Sequence, residues 1–182
     1  RHSFHWAWRV PLALAGRQSK GVALARAIGV PEHIVIDAGH AAGKRLRDYA
    51  AFDDPTDPRS ALLIECGQHW ERAAPVMATQ AALRFLRHFG MLDSAVAQAH
   101  LDPTPAPPQQ VIEITHVITI ESDAFSFTAP VAGLATIPVE GTLLAREGTR
   151  EIRTPYADAI LVMPTRRPRK GETAVRIGRR VG

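Results

Sequence analysis

The chain has 182 residues, of which 46% are hydrophobic and 22% charged, a balance too apolar for intrinsic disorder and a length suited to one domain or two small ones. Its formal charge is +4 and it carries one cysteine, so no internal disulfide is expected and nothing demands an oxidising compartment. Arg, Lys, Asp or Pro interrupts every apolar run well short of the roughly 20 residues of a membrane helix, and the expectation is a soluble, cytoplasmic protein without a membrane partner.

The first residues, 1-RHSFHWAWRVPLALAG-16, combine positive charge, an apolar segment and small residues, as a secretory signal does. The apolar part, 10-VPLALA-15, is short and contains Pro11, and no initiator Met precedes it. It reads as mature protein, and as the start of a piece of a longer chain. Residues 18–29 have helical spacing, with Val22, Leu24, Ala25 and Ile28 near one face, Gly29 as C-cap and Pro31 as a stop. The β-branched run 33-HIVIDAGH-40 predicts a buried strand. Turn formers fill 53-DDPTDPRS-60, which predicts a loop. The first four residues of 61-ALLIE-65 are all apolar, which predicts a second buried strand. The strongest helix signal is 73-AAPVMATQAALRFLRHFGM-91, where Pro75 suits a first turn and Ala78, Ala82, Phe85, Leu86 and Phe89 recur at helical spacing. Strand, loop, strand and helix together predict an α/β domain with a largely parallel sheet.

Four prolines in 101-LDPTPAPPQQ-110 predict a linker or an extended wrap. Beyond it, 111-VIEITHVITIES-122 alternates apolar and polar residues, and 134-LATIPVEGTLLA-145 and 158-DAILVMP-164 are further strand-like runs. Gly133, Gly141, Gly148 and Pro155 punctuate them, so a small all-β module is expected over 107–182, after an α/β part over 1–106. Much of the positive charge sits in 166-RRPRKGETAVRIGRR-180. No aromatic is interleaved there, so a solvated edge is expected and a nucleic-acid partner is not.

Ligands bind outside the carboxyl ends of strands in open α/β sheets, which makes Glu65 a candidate ligand-facing carboxylate. A carboxylate paired with an Arg or capping a turn is the other reading of that position. Side chains alternate across a strand, so Cys66 would point away from Glu65, and a half-buried structural cysteine is expected rather than a nucleophile activated by His69. His69 and Glu71 stand two apart, whereas helical metal pairs stand four apart. That spacing is no metal signature.

Three stretches, 34-IVIDAGHAAGKRLRDYAAFDDP-55, 61-ALLIECGQHWE-71 and 151-EIRTPYADAILVMP-164, resemble the succinylglutamate desuccinylase/aspartoacylase family of zinc-dependent amidohydrolases. The resemblance implies part of a carboxypeptidase-like, mostly parallel sheet with helices, followed by a small barrel-sandwich-like β domain. It makes Glu65, followed closely by Gly67, the family's catalytic glutamate. It makes His2, in 2-HS-3, the third zinc ligand, matching the end of a D-L-H-S-like motif. The G-x-H-G-x-E motif that carries the family's other two ligands occurs nowhere in the sequence, so the likeness is to a C-terminal portion.

The implied cofactor is Zn2+ and the implied substrate a small acidic N-acyl amino acid. Its amide would be hydrolysed by water activated at the metal, with Glu65 carrying the proton. Arg45, Arg47 and Arg59 flank the loop before Glu65 and are candidates for a bidentate grip on a substrate carboxylate. Tyr156 is either a substrate contact from the β module or a core or edge tyrosine. His40, His69 and Glu71 are the first alternatives should the metal ligands lie elsewhere in the chain. Residues 138–164 contain no Lys, which disfavours a lipoyl or biotinyl carrier. The remaining rival is a non-catalytic remnant, or a pseudoenzyme serving as a binding domain. Homo-oligomerisation is left open.

Overall fold

A computed structural model describes residues 10–38 and 44–182. The chain divides into two compact units, one of Pro11–Ile112 with Val181–Gly182, the other built on Glu113–Arg180. The division falls inside a strand, β4 (Gln110–Thr119), beyond the proline-rich stretch in which the sequence places it.

The first unit is α/β, with β1 (Leu12–Leu14), α1 (Ser19–Ile28), β2 (His33–Ile36), β3 (Leu63–Glu65), α2 (Ala73–His88) and α3 (Ser94–His100) before β4 begins. Helix α1 buries Gly21, Leu24, Ala25 and Ile28, close to the face its spacing predicts. It ends as expected at Gly29, whose φ of 77° is left-handed and whose N–H bonds the Ala25 carbonyl. Small residues in the core, among them Ala13, Ala15 and Ala25, let this helix lie close on the sheet. Strands β1 and β2 are parallel, pairing Leu12 with His33 and Leu14 with Val35. Strand β3 runs the other way, pairing Glu65 with Leu12 and Leu63 with Leu14.

Among the described residues β3 is therefore an antiparallel edge strand, in the order β3-β1-β2. It is half-buried, where its unbroken apolar run predicts full burial inside a parallel sheet. The run is apolar because both faces meet apolar neighbours. Leu62 and Ile64 join the core with Ala13 and Ile34, while Leu63 lies opposite Leu14. Partner and direction are set by distant residues, and a local pattern carries neither.

The second unit is all β. One sheet has the order β4-β10-β9-β6, from β6 (Thr136–Ile137), β9 (Ala159–Val162) and β10 (Thr173–Arg180). The other has the order β5-β7-β8, from β5 (Phe125–Phe127), β7 (Leu143–Glu147) and β8 (Arg150–Arg153). Both sheets contribute to one core, with Leu161, Val175 and Ile177 from the first and Leu144 from the second. The basic segment 166–180 is solvated as expected at Arg166, Arg167, Arg169, Lys170, Arg179 and Arg180, but not along its whole length. Its second half is β10, in which Ala174 through Gly178 are buried, Arg176 included. Apolar Val175 and Ile177 drive that burial, and charge counting alone hides it.

Glu147 closes the β5-β7-β8 sheet. Its carboxylate accepts hydrogen bonds from the backbone N–H groups of Glu121 and Ser122, both at 2.7 Å, and stands 3.6 Å from Arg150. Burial pushes its pKa up, but the Ser122 and Glu121 N–H groups, the Ser122 hydroxyl and Arg150 outweigh that and hold it below the ordinary value. A depressed folded-state pKa adds stability above the unfolded value, and that stability is lost as pH falls through the folded one. Glu147→Gln is therefore expected to lower the melting temperature at pH 7. Melts at stepped pH should show the gap to the parent protein closing below about pH 4. A gap that persists unchanged in acid would mean that packing, not charge, is what Gln loses.

Candidate functional site

Glu65 ends β3, and its register sets its surroundings. Directly paired residues on neighbouring strands share a face, so Glu65, Leu12 and His33 line up on one side of the sheet. Leu12 is buried between them, and Glu65 is half-buried and not without an interaction partner. His33 stands about 10 Å from Glu65, two strand spacings away. Sequence reading passes over His33 because it belongs to another strand, and only the register reveals the shared face.

Cys66 faces the other way. With Leu62 and Ile64 it lines an apolar cavity of about 260 Å³, closed from the far side by Ile28 of α1 and by Ala78, Ala81, Ala82 and Phe85 of α2. Burial, and then the neighbouring Glu65 charge, raise the thiol pKa. The thiol is thus protonated at neutral pH and poorly nucleophilic, the structural role expected for it. His69 and Glu71 are both exposed.

Arg47 stands apart from Glu65. Because β3 is antiparallel, its carboxyl end lies beside the amino ends of β1 and β2. Arg47 lies at the opposite end of β1, its Cδ 3.7 Å from where a Cβ on Gly16 would stand. From Leu12 to Gly16 is about 13 Å of strand. Arg47 is 4% exposed, with Nε 3.5 Å from Asp48. That is the setting of a buried structural cation, and the structure does not bring it to Glu65.

Arg59 donates to Asp57 from Nε at 2.9 Å and Nη2 at 2.7 Å, and this pairing drives the Asp57 carboxyl far below the usual carboxylate range. Its bidentate capacity is spent within its own loop. Lys20 pins the same loop, donating to the carbonyls of Ala51, Asp54 and Asp57. Arg45 differs from the other two. It is half-buried, and its Nη1 is closed off from solvent without a hydrogen-bond partner.

Tyr156 lies in the β unit, half-buried against the core. Its hydroxyl is 2.6 Å from Thr115 Oγ1, which also donates to the Ile177 carbonyl at 3.2 Å and lies 2.9 Å from His116 Nδ1. Either hydroxyl of the pair can be the donor.

His2 and His40 lie outside the described residues. Among the described residues no group of three or more His, Cys, Asp or Glu side chains is placed to hold a metal ion. No helix there is long and apolar enough to cross a membrane.

No protein-family model and no curated protein matches this sequence. Solved structures do. A succinylglutamate desuccinylase from Vibrio parahaemolyticus matches with a TM-score of 0.60 at 17% identity, over 100% of this chain and 51% of its own. The product-bound ectoine utilization protein EutE (DoeB) from Ruegeria pomeroyi matches with a TM-score of 0.61 at 14% identity, over 93% of this chain and 53% of its own. A succinylglutamate desuccinylase/aspartoacylase from Rhodobacter sphaeroides matches with a TM-score of 0.59 at 12% identity, over 94% and 54%. The chain thus spans about half the length of the structures it matches, and over that half its fold is that of the succinylglutamate desuccinylase/aspartoacylase structures.

Proposed function

We propose that this chain is part of a zinc-dependent amidohydrolase that cleaves the amide of a small acidic N-acyl amino acid, and that it supplies the general base, Glu65. The observation that carries the reading is the likeness of the whole chain to half of the desuccinylase structures. In this reading the complete enzyme is longer than these 182 residues.

The described residues alone do not make a zinc site. The ligands would then be His2 and groups outside the described residues. Glu65 accepts a proton from the attacking water and returns it to the leaving nitrogen. Arg45, with donor capacity to spare, is the arginine of the three best suited to a substrate carboxylate.

The want of a metal-ligating cluster among the described residues also favours a second reading, a non-catalytic remnant that serves as a binding domain. Metal analysis after dialysis, paired with hydrolysis of N-succinylglutamate and N-acetylaspartate, separates the two. The 182-residue protein should keep much less than one zinc and hydrolyse neither substrate, because a catalytic site takes three protein ligands. Rejoined to the preceding half of its reading frame, an enzyme regains one zinc and hydrolysis, whereas a remnant regains neither. Tight one-to-one zinc on the 182 residues would instead move the ligands to His40, His69 and Glu71.

A further inference from the structure

A cleft of about 570 Å³ opens between α2, α3 and the proline-rich segment 101–106, with Arg84 and Arg87 of α2 on one wall and Ser94, Gln98 and Asp102 on the others. That volume is in the range of small-molecule sites. Arg84 and Arg87 are three apart and share a face of the helix. Neither makes a hydrogen bond or an ion pair among the described residues, and Arg84 Nε is closed off from solvent without a partner. A buried guanidinium nitrogen left unbonded is costly, and an oxyanion supplies what it lacks.

The acid in the cleft offsets only part of the pair's charge. Asp102 accepts from Thr104 N–H at 2.9 Å, and the Arg84 charge further lowers its pKa. Two guanidinium groups face one occupied carboxylate, so the cleft is net positive.

Its walls are fixed in advance. Gln80 spans from α2 to the proline-rich segment, donating to the His100 carbonyl at 2.9 Å and accepting from Asp102 N–H at 3.0 Å. Asp93 caps α3 by accepting from Ala95 N–H at 2.8 Å. Pro103 and Pro105 stiffen the third wall. A site that is already ordered spares a ligand the entropy of organising it.

We propose that this cleft binds a small organic anion, whose carboxylate or phosphate group is held by Arg84 and Arg87. Nothing in it depends on Glu65. Arg84 also has a structural use, because its Nη1 stands 3.9 Å from the Cβ position of Gly29, at the carboxyl end of α1 where a cation is favoured. Arg87 is exposed and has no such second use, which makes it the diagnostic residue.

The experiment is a calorimetric titration of the 182-residue protein with succinate and, separately, with inorganic phosphate. Amide shift mapping accompanies each titration. The expected result is saturable one-to-one binding of at least one probe, stronger at low salt, with shifts centred on residues 84–104. The probe that binds more tightly identifies the oxyanion. Arg87→Gln should weaken binding by about tenfold or more, the loss of a charge-assisted hydrogen bond, with an unchanged melting temperature. The proposal is overturned if neither probe saturates, if Arg87→Gln binds like the parent, or if the shifts gather elsewhere on the surface.

Discussion

On the amidohydrolase reading proposed above, Glu65→Gln in the complete protein is expected to keep its zinc and to lose about 10²- to 10⁴-fold in turnover, the usual contribution of a general acid–base group. In free energy that is about 2.7–5.5 kcal/mol of barrier. Gln preserves the volume and the hydrogen-bonding reach of Glu but cannot take a proton from water. The side chain is half-buried at the end of an edge strand, opposite Leu12, so the exchange leaves the packing of β1 and β3 in place. Turnover and its ratio to KM should fall together, since the proton moves only in the transition state. Cys66→Ala, on the opposite face of the same strand, serves as the control and should stay near the parent. Turnover of Glu65→Gln within a few-fold of the parent would remove Glu65 from the chemistry. Zinc lost along with activity would mean that Glu65 supports the metal rather than the proton.

Much of this fold was legible from local pattern, and the misreadings fall where distant partners, charge or proline override that pattern. Helix α1 was readable to within a residue because its stop signals, Gly29 and Pro31, are local chemistry. Helix α2 was readable as an element, yet its apolar stripe is only partly used. Ala81 is buried, but Ala78, Ala81, Ala82 and Phe85 all line an apolar cavity. Periodicity reports which residues can face a partner, not how closely the partner fits.

Strand β3 shows the same limit. Its apolar run marked a strand correctly, but its edge position and reversed direction arise from pairing with β1, some fifty residues earlier. That pairing changes the geometry of the candidate site. It places His33 on the face of Glu65 and sets Arg47 at the far end of β1, although Arg47 is nearer to Glu65 in sequence. Strand β10 was hidden by its charge, and α3 by its shortness and by the prolines that follow it. Of the candidate site, the place of Glu65 at a strand end was readable and its neighbourhood was not.

The largest structural effect is expected at Gly21. This glycine lies inside α1 with ordinary helical neighbours, and by propensity alone Gly→Ala in a helix interior should stabilise by roughly 1 kcal/mol. The packing predicts the reverse. A Cβ built on Gly21 collides with the carbonyl oxygen of Ala15 and stands 3.0 Å from its carbonyl carbon. These are backbone atoms and cannot rotate aside. The Ala15 N–H is bonded to the Val35 carbonyl at 2.9 Å, so pushing Ala15 away also strains the β1–β2 ladder. Relief must come from lifting α1 off the sheet, which uncovers Leu24, Ala25 and Ile28 together. Gly21→Ala should therefore cost about 3 kcal/mol or more, the upper range of overpacking penalties. Gly29→Ala is the reference, because its left-handed φ carries a strain of about 1 kcal/mol but its Cβ meets only the far end of Arg84. Urea unfolding of both variants decides the matter. Gly21→Ala should be much the weaker of the two, and a Gly21→Ala protein as stable as the parent would show that α1 does not sit against Ala15 as closely as described.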